Sequence, residues 1–233
     1  HWIGPMRLII GPLLALAFLL PLSSDAARTH PRLLDSVRPL SQIVFRDFEA
    51  DLIAYRNICT VSSINAATHL WLTAAHCVLV ETMDEDGIIT TSPRLGLVIE
   101  GRLVFIVKTD AVADLAILFT PDLSAPALRL ADKGPFWEDT VRVVGHPFGY
   151  PSVTIAAGTV ANPDAVLDSE PGFAPSYLLI TAMVAPGNSG SPIVNTHGEM
   201  VSVLQIGWGG GYSPGGGATY ARLKALVGSY FER

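Results

Sequence analysis

The chain has 233 residues, a net charge of −6 at pH 7 and 15% charged residues, with no block of Lys or Arg anywhere. Binding to nucleic-acid phosphates needs clustered basic side chains, so a nucleic-acid partner is not expected. A hydrophobic content of 49% excludes a disordered chain, and the length suits one large all-β domain or two small ones.

The first element is a targeting segment. Met6-Arg7 is a short basic start, Leu8 to Leu20 (LIIGPLLALAFLL) is apolar, and Leu22 to Ala27 supplies small residues. That is the plan of a secretory signal peptide, expected over residues 1–27 and cleaved to leave a secreted or periplasmic protein. The apolar run is shorter than the about 20 residues that span a bilayer, so stable membrane insertion is not expected after cleavage, the alternative being an uncleaved N-terminal anchor. Residues 28–42 carry Pro and Arg (RTHPRLLDSVR) and read as a linker or propeptide arm, with the main domain over 43–233.

Short β-branched and aromatic runs broken by turn residues follow. They are Asn57 to Ser62, Leu70 to Thr73, Arg94 to Glu100, Arg102 to Lys108, Leu115 to Phe119, Val141 to Val144, Val153 to Ala156, Tyr177 to Thr181, Ser191 to Val194 and Met200 to Ile206. With no sustained 3.6-residue period among them, they predict an antiparallel sandwich or barrel. A closing helix is expected over Tyr220 to Phe231, where Leu223, Leu226, Val227 and Tyr230 share one face. Between them, Gly207 to Gly217 (GWGGGYSPGGG) reads as a flexible loop beside a binding site.

Cys59 and Cys77 are the two cysteines. In an exported chain they are expected to form one disulfide, the alternative being two buried thiols. Without clustered His or carboxylate at ligand spacing they do not make a metal site, and no cofactor is implied.

Three motifs carry chemistry. Leu70 to Cys77 (LWLTAAHC) ends an apolar strand on His76; Ala113 to Phe119 (ADLAILF) opens a strand on Asp114; Pro186 to Pro192 (PGNSGSP) surrounds Ser189 with glycines. A serine hydroxyl is a weak nucleophile unless a base and an orienting group stand beside it. Asp110 is the competing carboxylate, but the strand-opening position favours Asp114, and Asp110 reads as a solvated loop residue. TAAHC, DLAIL and GNSGSP in this order resemble the chymotrypsin-like (trypsin-fold) serine proteases. VGHPFG (Val144 to Gly149) and the single cysteine pair most resemble the bacterial V8-like and HtrA-like branch, with no appended PDZ module expected.

The resemblance implies two six-stranded antiparallel β-barrels with a C-terminal helix, a serine endopeptidase activity on protein or peptide substrates, and the site in the cleft between barrels. It implies His76 as base, Asp114 as its orienting group, Ser189 as nucleophile, the N–H groups of Gly187 and Ser189 as oxyanion hole, and Cys59–Cys77 as a bridge beside His76. Ser191 and His146 are read as structural. Met183, six residues before Ser189, falls at the base of the pocket for P1, the substrate residue whose carbonyl is attacked. Trp208 and Gly209 fall at the substrate-pairing strand. Asp at the pocket base would select Arg or Lys; with Met183 there a small or medium apolar P1 is expected. A catalytically silent relative that binds peptides or a partner protein is the alternative. No basic activation site precedes Ile43, and Gln42 to Phe45 only faintly resembles the start released in zymogens.

Overall fold

Alternating apolar residues on two strands, Leu70–Thr73 and Leu115–Phe119, join the two halves of the molecule. The computed structural model describes residues 31–47, 52–85, 87–166, 176–208 and 211–231; the signal peptide expected over residues 1–27 lies outside them. A short helix α1 (Pro31–Asp35) leads into β1 (Val37–Asp47), β2 (Leu52–Asn65), β3 (Leu70–Thr73), β4 (Leu79–Met83), β5 (Ile89–Pro93), β6 (Leu97–Ile99), β7 (Arg102–Leu103), β8 (Phe105–Asp110) and β9 (Leu115–Phe119). The second half has β10 (Thr140–Gly145), β11 (Thr154–Ala165), β12 (Tyr177–Val184), β13 (Pro192–Val194), β14 (Met200–Gly207) and β15 (Ser213–Ala218), then helix α2 (Tyr220–Val227). Among the described residues no helix is long and apolar enough to cross a membrane.

The second half is a closed barrel in the order β10-β11-β12-β15-β14-β13. The first is a seven-stranded sheet, β7-β6-β1-β2-β3-β9-β8, with β4 and β5 paired apart as a hairpin. The all-β two-barrel expectation holds, with the first half curled rather than closed. Each half has its own core: Leu40, Val61, Trp71 and Leu118 in the first, Val143, Leu178, Ile180 and Ile193 in the second. Successive strand residues face opposite sides. Trp71 and Leu118 therefore turn into the first core, while Leu72 and Ile117 turn outward. There they meet Val144, Met200 and Val203 of the second barrel and Leu223 and Val227 of α2 in a shared cluster. Burial of each such side chain contributes about 1.5–3 kcal/mol.

Two regions differ from the sequence expectation. Residues 31–42, read as an arm, belong to the fold: Leu33 and Val37 lie in the shared cluster and Leu40 in the first core, and β1 pairs with β2 from Val37 opposite Ser62 onward. The second half of the glycine tract is strand β15, not loop. A Cβ on Gly217 would lie 2.2 Å from the Val203 carbonyl oxygen, and one on Gly215 would lie 2.8 Å from Val184 Cγ2. At these two positions the strand closing the barrel has room only for glycine.

Candidate active site

His76 follows β3 on a short 3-10 turn, Ala75–Cys77, exposed between two buried neighbours. A disulfide joins Cys77 to Cys59 of β2 and anchors that turn, stabilising by about 3 kcal/mol in the chain-entropy account. The two sulfurs and a His76 ring nitrogen lie within 4.8 Å of one another, but the disulfide consumes both thiolates.

Asp114 sits just before β9 in a left-handed conformation, φ +47°. Two groups hold that turn. Asp110 Oδ1 accepts the Ala113 N–H at 2.8 Å, so Asp110 caps the turn rather than competing with Asp114. From the second barrel, Gln205 Nε2 donates to the carbonyls of Ala113 (2.6 Å) and Asp114 (2.9 Å). Thus aimed, Asp114 Oδ2 accepts from His76 Nδ1 and Oδ1 from the His76 backbone N–H, both at 2.8 Å. The side chains are 45% and 24% exposed. With its proton on Nδ1, a neutral imidazole keeps the Nε2 lone pair for a substrate-side proton. Burial, then the Asp114 charge, hold the nearby Tyr177 phenol above its ordinary pKa.

Ser189 comes from the loop before β13 and docks against the first barrel. Its carbonyl accepts the Thr60 N–H at 2.8 Å. The next residue, Gly190, has φ +83°, and a Cβ there would lie 2.1 Å from Thr73 Oγ1 and 3.1 Å from the Ala74 nitrogen. The loop thus touches the segment that leads to His76. Among the described residues, no hydrogen bond joins Ser189 Oγ to His76; such contacts often tighten only around substrate. The Pro186 carbonyl accepts from Phe148 N–H, and the Asn188 carbonyl from Ser191 N–H at 2.9 Å. Across a trans peptide the N–H points opposite its carbonyl. The Gly187 and Ser189 N–H groups are therefore turned away from these contacts, and neither has a partner among the described residues.

A cavity of about 250 Å³ adjoins Ser189, with Val184, Ala185, Leu204, Ile206 and Ser213 in its wall and no charged side chain. Met183 is not in that wall. It is 45% exposed on the outer face of β12, so Met183, expected at the pocket base, faces away from the cavity, and the next residue, Val184, lines it instead. Trp208 is 46% exposed and outside the wall; its N–H bonds the Pro214 carbonyl at 3.3 Å. Gly209 lies outside the described residues. Ser191 and His146 are buried. The Ser191 hydroxyl would lie 1.9 Å from a Cβ on Gly145, so the VGHPFG segment packs directly on the serine loop. Sequence reading did not find Gln205 or Val184, because neither carries a motif.

A sequence model of the trypsin-like peptidase domain matches residues 59–203, a span that includes Cys59, His76, Asp114 and Ser189. The chain belongs to that family. The chain is 31% identical over 102 residues to a probable periplasmic serine endoprotease DegP-like of Marinomonas sp. (strain MWYL1). It is 30% identical over 99 residues to one from Hahella chejuensis (strain KCTC 2396). Each match covers 42% of this chain and 20% of the relative, so the chain spans about a fifth of those proteins. Among solved structures, the active form of the Rv3671c protease from M. tuberculosis superposes with TM-score 0.62 at 19% identity, over 84% of this chain and 81% of that one. The HtrA-type protease AlgW with tripeptide gives 0.61 at 20% identity, over 86% and 62%. These likenesses agree with the chymotrypsin-like fold.

Proposed function

We propose that this chain is an exported serine endopeptidase that cleaves peptide bonds through His76, Asp114 and Ser189. The observation that carries the reading is the doubly hydrogen-bonded His76–Asp114 pair, with Ser189 on the wall of the adjoining cavity. His76 Nε2 takes the Ser189 Oγ proton as Oγ attacks the scissile carbonyl. Asp114 stabilises the imidazolium, and the N–H groups of Gly187 and Ser189 receive the oxyanion. Collapse of the tetrahedral intermediate passes the proton to the leaving amine and leaves an acyl-enzyme. Water, deprotonated by His76, then releases the acid and regenerates Ser189. The cavity, uncharged and walled by Val184, Leu204 and Ile206 beside Gln205 and Ser213, favours an apolar P1 side chain over Arg, Lys or Glu. Export is supported by the signal-like sequence of residues 1–27 and by relatives named as periplasmic.

The alternative, a peptide-binding relative without activity, draws on the absence of a Ser189–His76 hydrogen bond. Labelling with a fluorophosphonate probe separates the two, since the probe reacts with an activated serine. Wild type is expected to label, with Ser189→Ala and His76→Ala silent and kcat down by about 10⁶-fold, as for triad knockouts. A folded wild type that does not label defeats the enzymatic reading. Peptide-library cleavage chiefly after Arg, Lys or Glu defeats the P1 assignment.

A further inference from the structure

Gly187 is the hinge of the serine loop: its φ of +95° is open to glycine, and a Cβ there would lie 2.6 Å from the His146 carbonyl oxygen. Glycine meets that need but brings no stiffness of its own, because it rotates freely. Something else must hold the two peptides that flank it. The preceding one is held by Phe148 N–H on the Pro186 carbonyl. The following one is held at both ends, by Asn188 N–H on the Ala185 carbonyl at 3.0 Å and, from the other barrel, by Thr60 Oγ1, which donates to the Gly187 carbonyl at 2.9 Å.

We propose that Thr60 is a positioning residue for the oxyanion-binding loop, its hydroxyl locking Gly187 so that the Gly187 N–H stays turned into the cleft. This rests on the reading of Ser189 as nucleophile. Thr60 is wholly buried on β2, next to Cys59. Its hydroxyl also accepts the His146 N–H at 3.1 Å. A hydroxyl has a single proton, and with His146 donating to the oxygen that proton is committed to Gly187. The Thr60 N–H meanwhile holds the Ser189 carbonyl at 2.8 Å, and its own carbonyl accepts from Thr73 Oγ1 at 2.8 Å. One residue thus grips the carbonyls of both Gly187 and Ser189, the residues whose N–H groups would receive the oxyanion. The main-chain contacts are open to any side chain at this position. The contact to Gly187 requires a hydroxyl.

Thr60→Val keeps the shape and strand preference of threonine and removes only that hydroxyl. It leaves the Gly187 carbonyl and His146 N–H without their partner, so the peptide after Gly187 keeps only the Asn188 N–H bond to the Ala185 carbonyl and the hinge loosens. The experiment follows fluorophosphonate inactivation of wild type, Thr60→Val and Thr60→Ser, separating kinact from KI, alongside the Gly187 amide resonance. The valine variant is expected to lose about 10- to 100-fold in kinact, somewhat less than deletion of an oxyanion donor. KI should stay within about twofold of wild type, because the cavity wall is untouched, while the Gly187 signal moves and serine restores both readings. A purely structural hydroxyl would lower the melting temperature and leave kinact and the Gly187 signal unchanged. That result, or a loss confined to KI, overturns the proposal. Should valine prevent folding, Thr60→Ala is read in its place. If wild type itself does not label, the nucleophile reading fails, and the Gly187 resonance still decides the hinge: an unmoved signal in the valine variant overturns it.

Discussion

The second barrel closes on itself through six strands, whereas the first is a seven-stranded sheet that curls without closing and leaves β4–β5 as a separate hairpin. Bulky side chains fill the first, Leu40, Trp71 and Leu118 among them, and its edge strands stay short or exposed, as in β7 and β8. The second closes through the strand with the least side chain, Gly215 to Gly217. The two halves of the site inherit this contrast. His76 and Asp114 flank heavily packed strands and meet through side-chain hydrogen bonds. Ser189 rides on a loop whose backbone carbonyls are gripped from elsewhere, by Thr60 and Phe148.

The largest expected effect tests the first barrel. A chain starting at Ile43 lacks Leu33, Val37 and Leu40, roughly 5–9 kcal/mol at 1.5–3 each, against a typical domain stability of about 5–15 kcal/mol. Compared with one starting at Arg28, it is expected to lose its cooperative thermal transition. An unchanged melt would show that β1 is dispensable and restore the arm as removable.

Next comes the closure of the second barrel. Gly217→Ala places a methyl against the Val203 carbonyl and is expected to destabilise by about 1–3 kcal/mol or more. Gly211→Ala, where nothing lies within 4 Å, should stay within about 0.5 kcal/mol. Equal denaturation midpoints for the two would contradict the closed barrel's need for a bare strand.

The smallest effect lies where the barrels meet. His146 is 3% exposed, with Nδ1 bonded to the Tyr150 carbonyl at 2.9 Å and Nε2 without a partner among the described residues. Burial above all, with the Arg38 charge adding to it, pulls its pKa below the ordinary 6.5, against the opposing bond to Tyr150. The unfolded chain therefore takes up a proton at a higher pH than the native one. This contribution to stability is complete above pH 6.5 and declines as pH falls from there toward the lowered native value. His146→Asn should flatten that part of a melting-temperature profile; an identical acid slope in both proteins would remove His146 as its source.

Much of the site was legible because catalytic motifs are local. LWLT and LAILF became β3 and β9 with the expected limits, since each is short, apolar and bounded by turns, and His76 and Asp114 follow from their ends. The pocket was not legible. Counting back from Ser189 lands on Met183, but a count fixes a position and not the face it takes: along β12, Ile180, Ala182 and Val184 are buried while Thr181 and Met183 face outward. Asp110 was mistaken for a solvated carboxylate because its partner, the Ala113 N–H, is a backbone group with no signature.

By itself, then, the sequence determined the family, the all-β class, the cysteine pair and the three residues on which the chemistry is proposed to rest. Those depend on residue identity and short spacing. Tertiary structure alone decided that residues 31–42 belong to the fold, that SPGGGA is a strand, and that Val184 rather than Met183 faces the cavity. It also decided that Gln205 reaches Asp114 and Thr60 reaches Gly187, across 91 and 127 positions of chain. Hydrogen bonds to backbone carbonyls leave no mark on the residues that accept them, so only the folded chain reveals which side chains supply them.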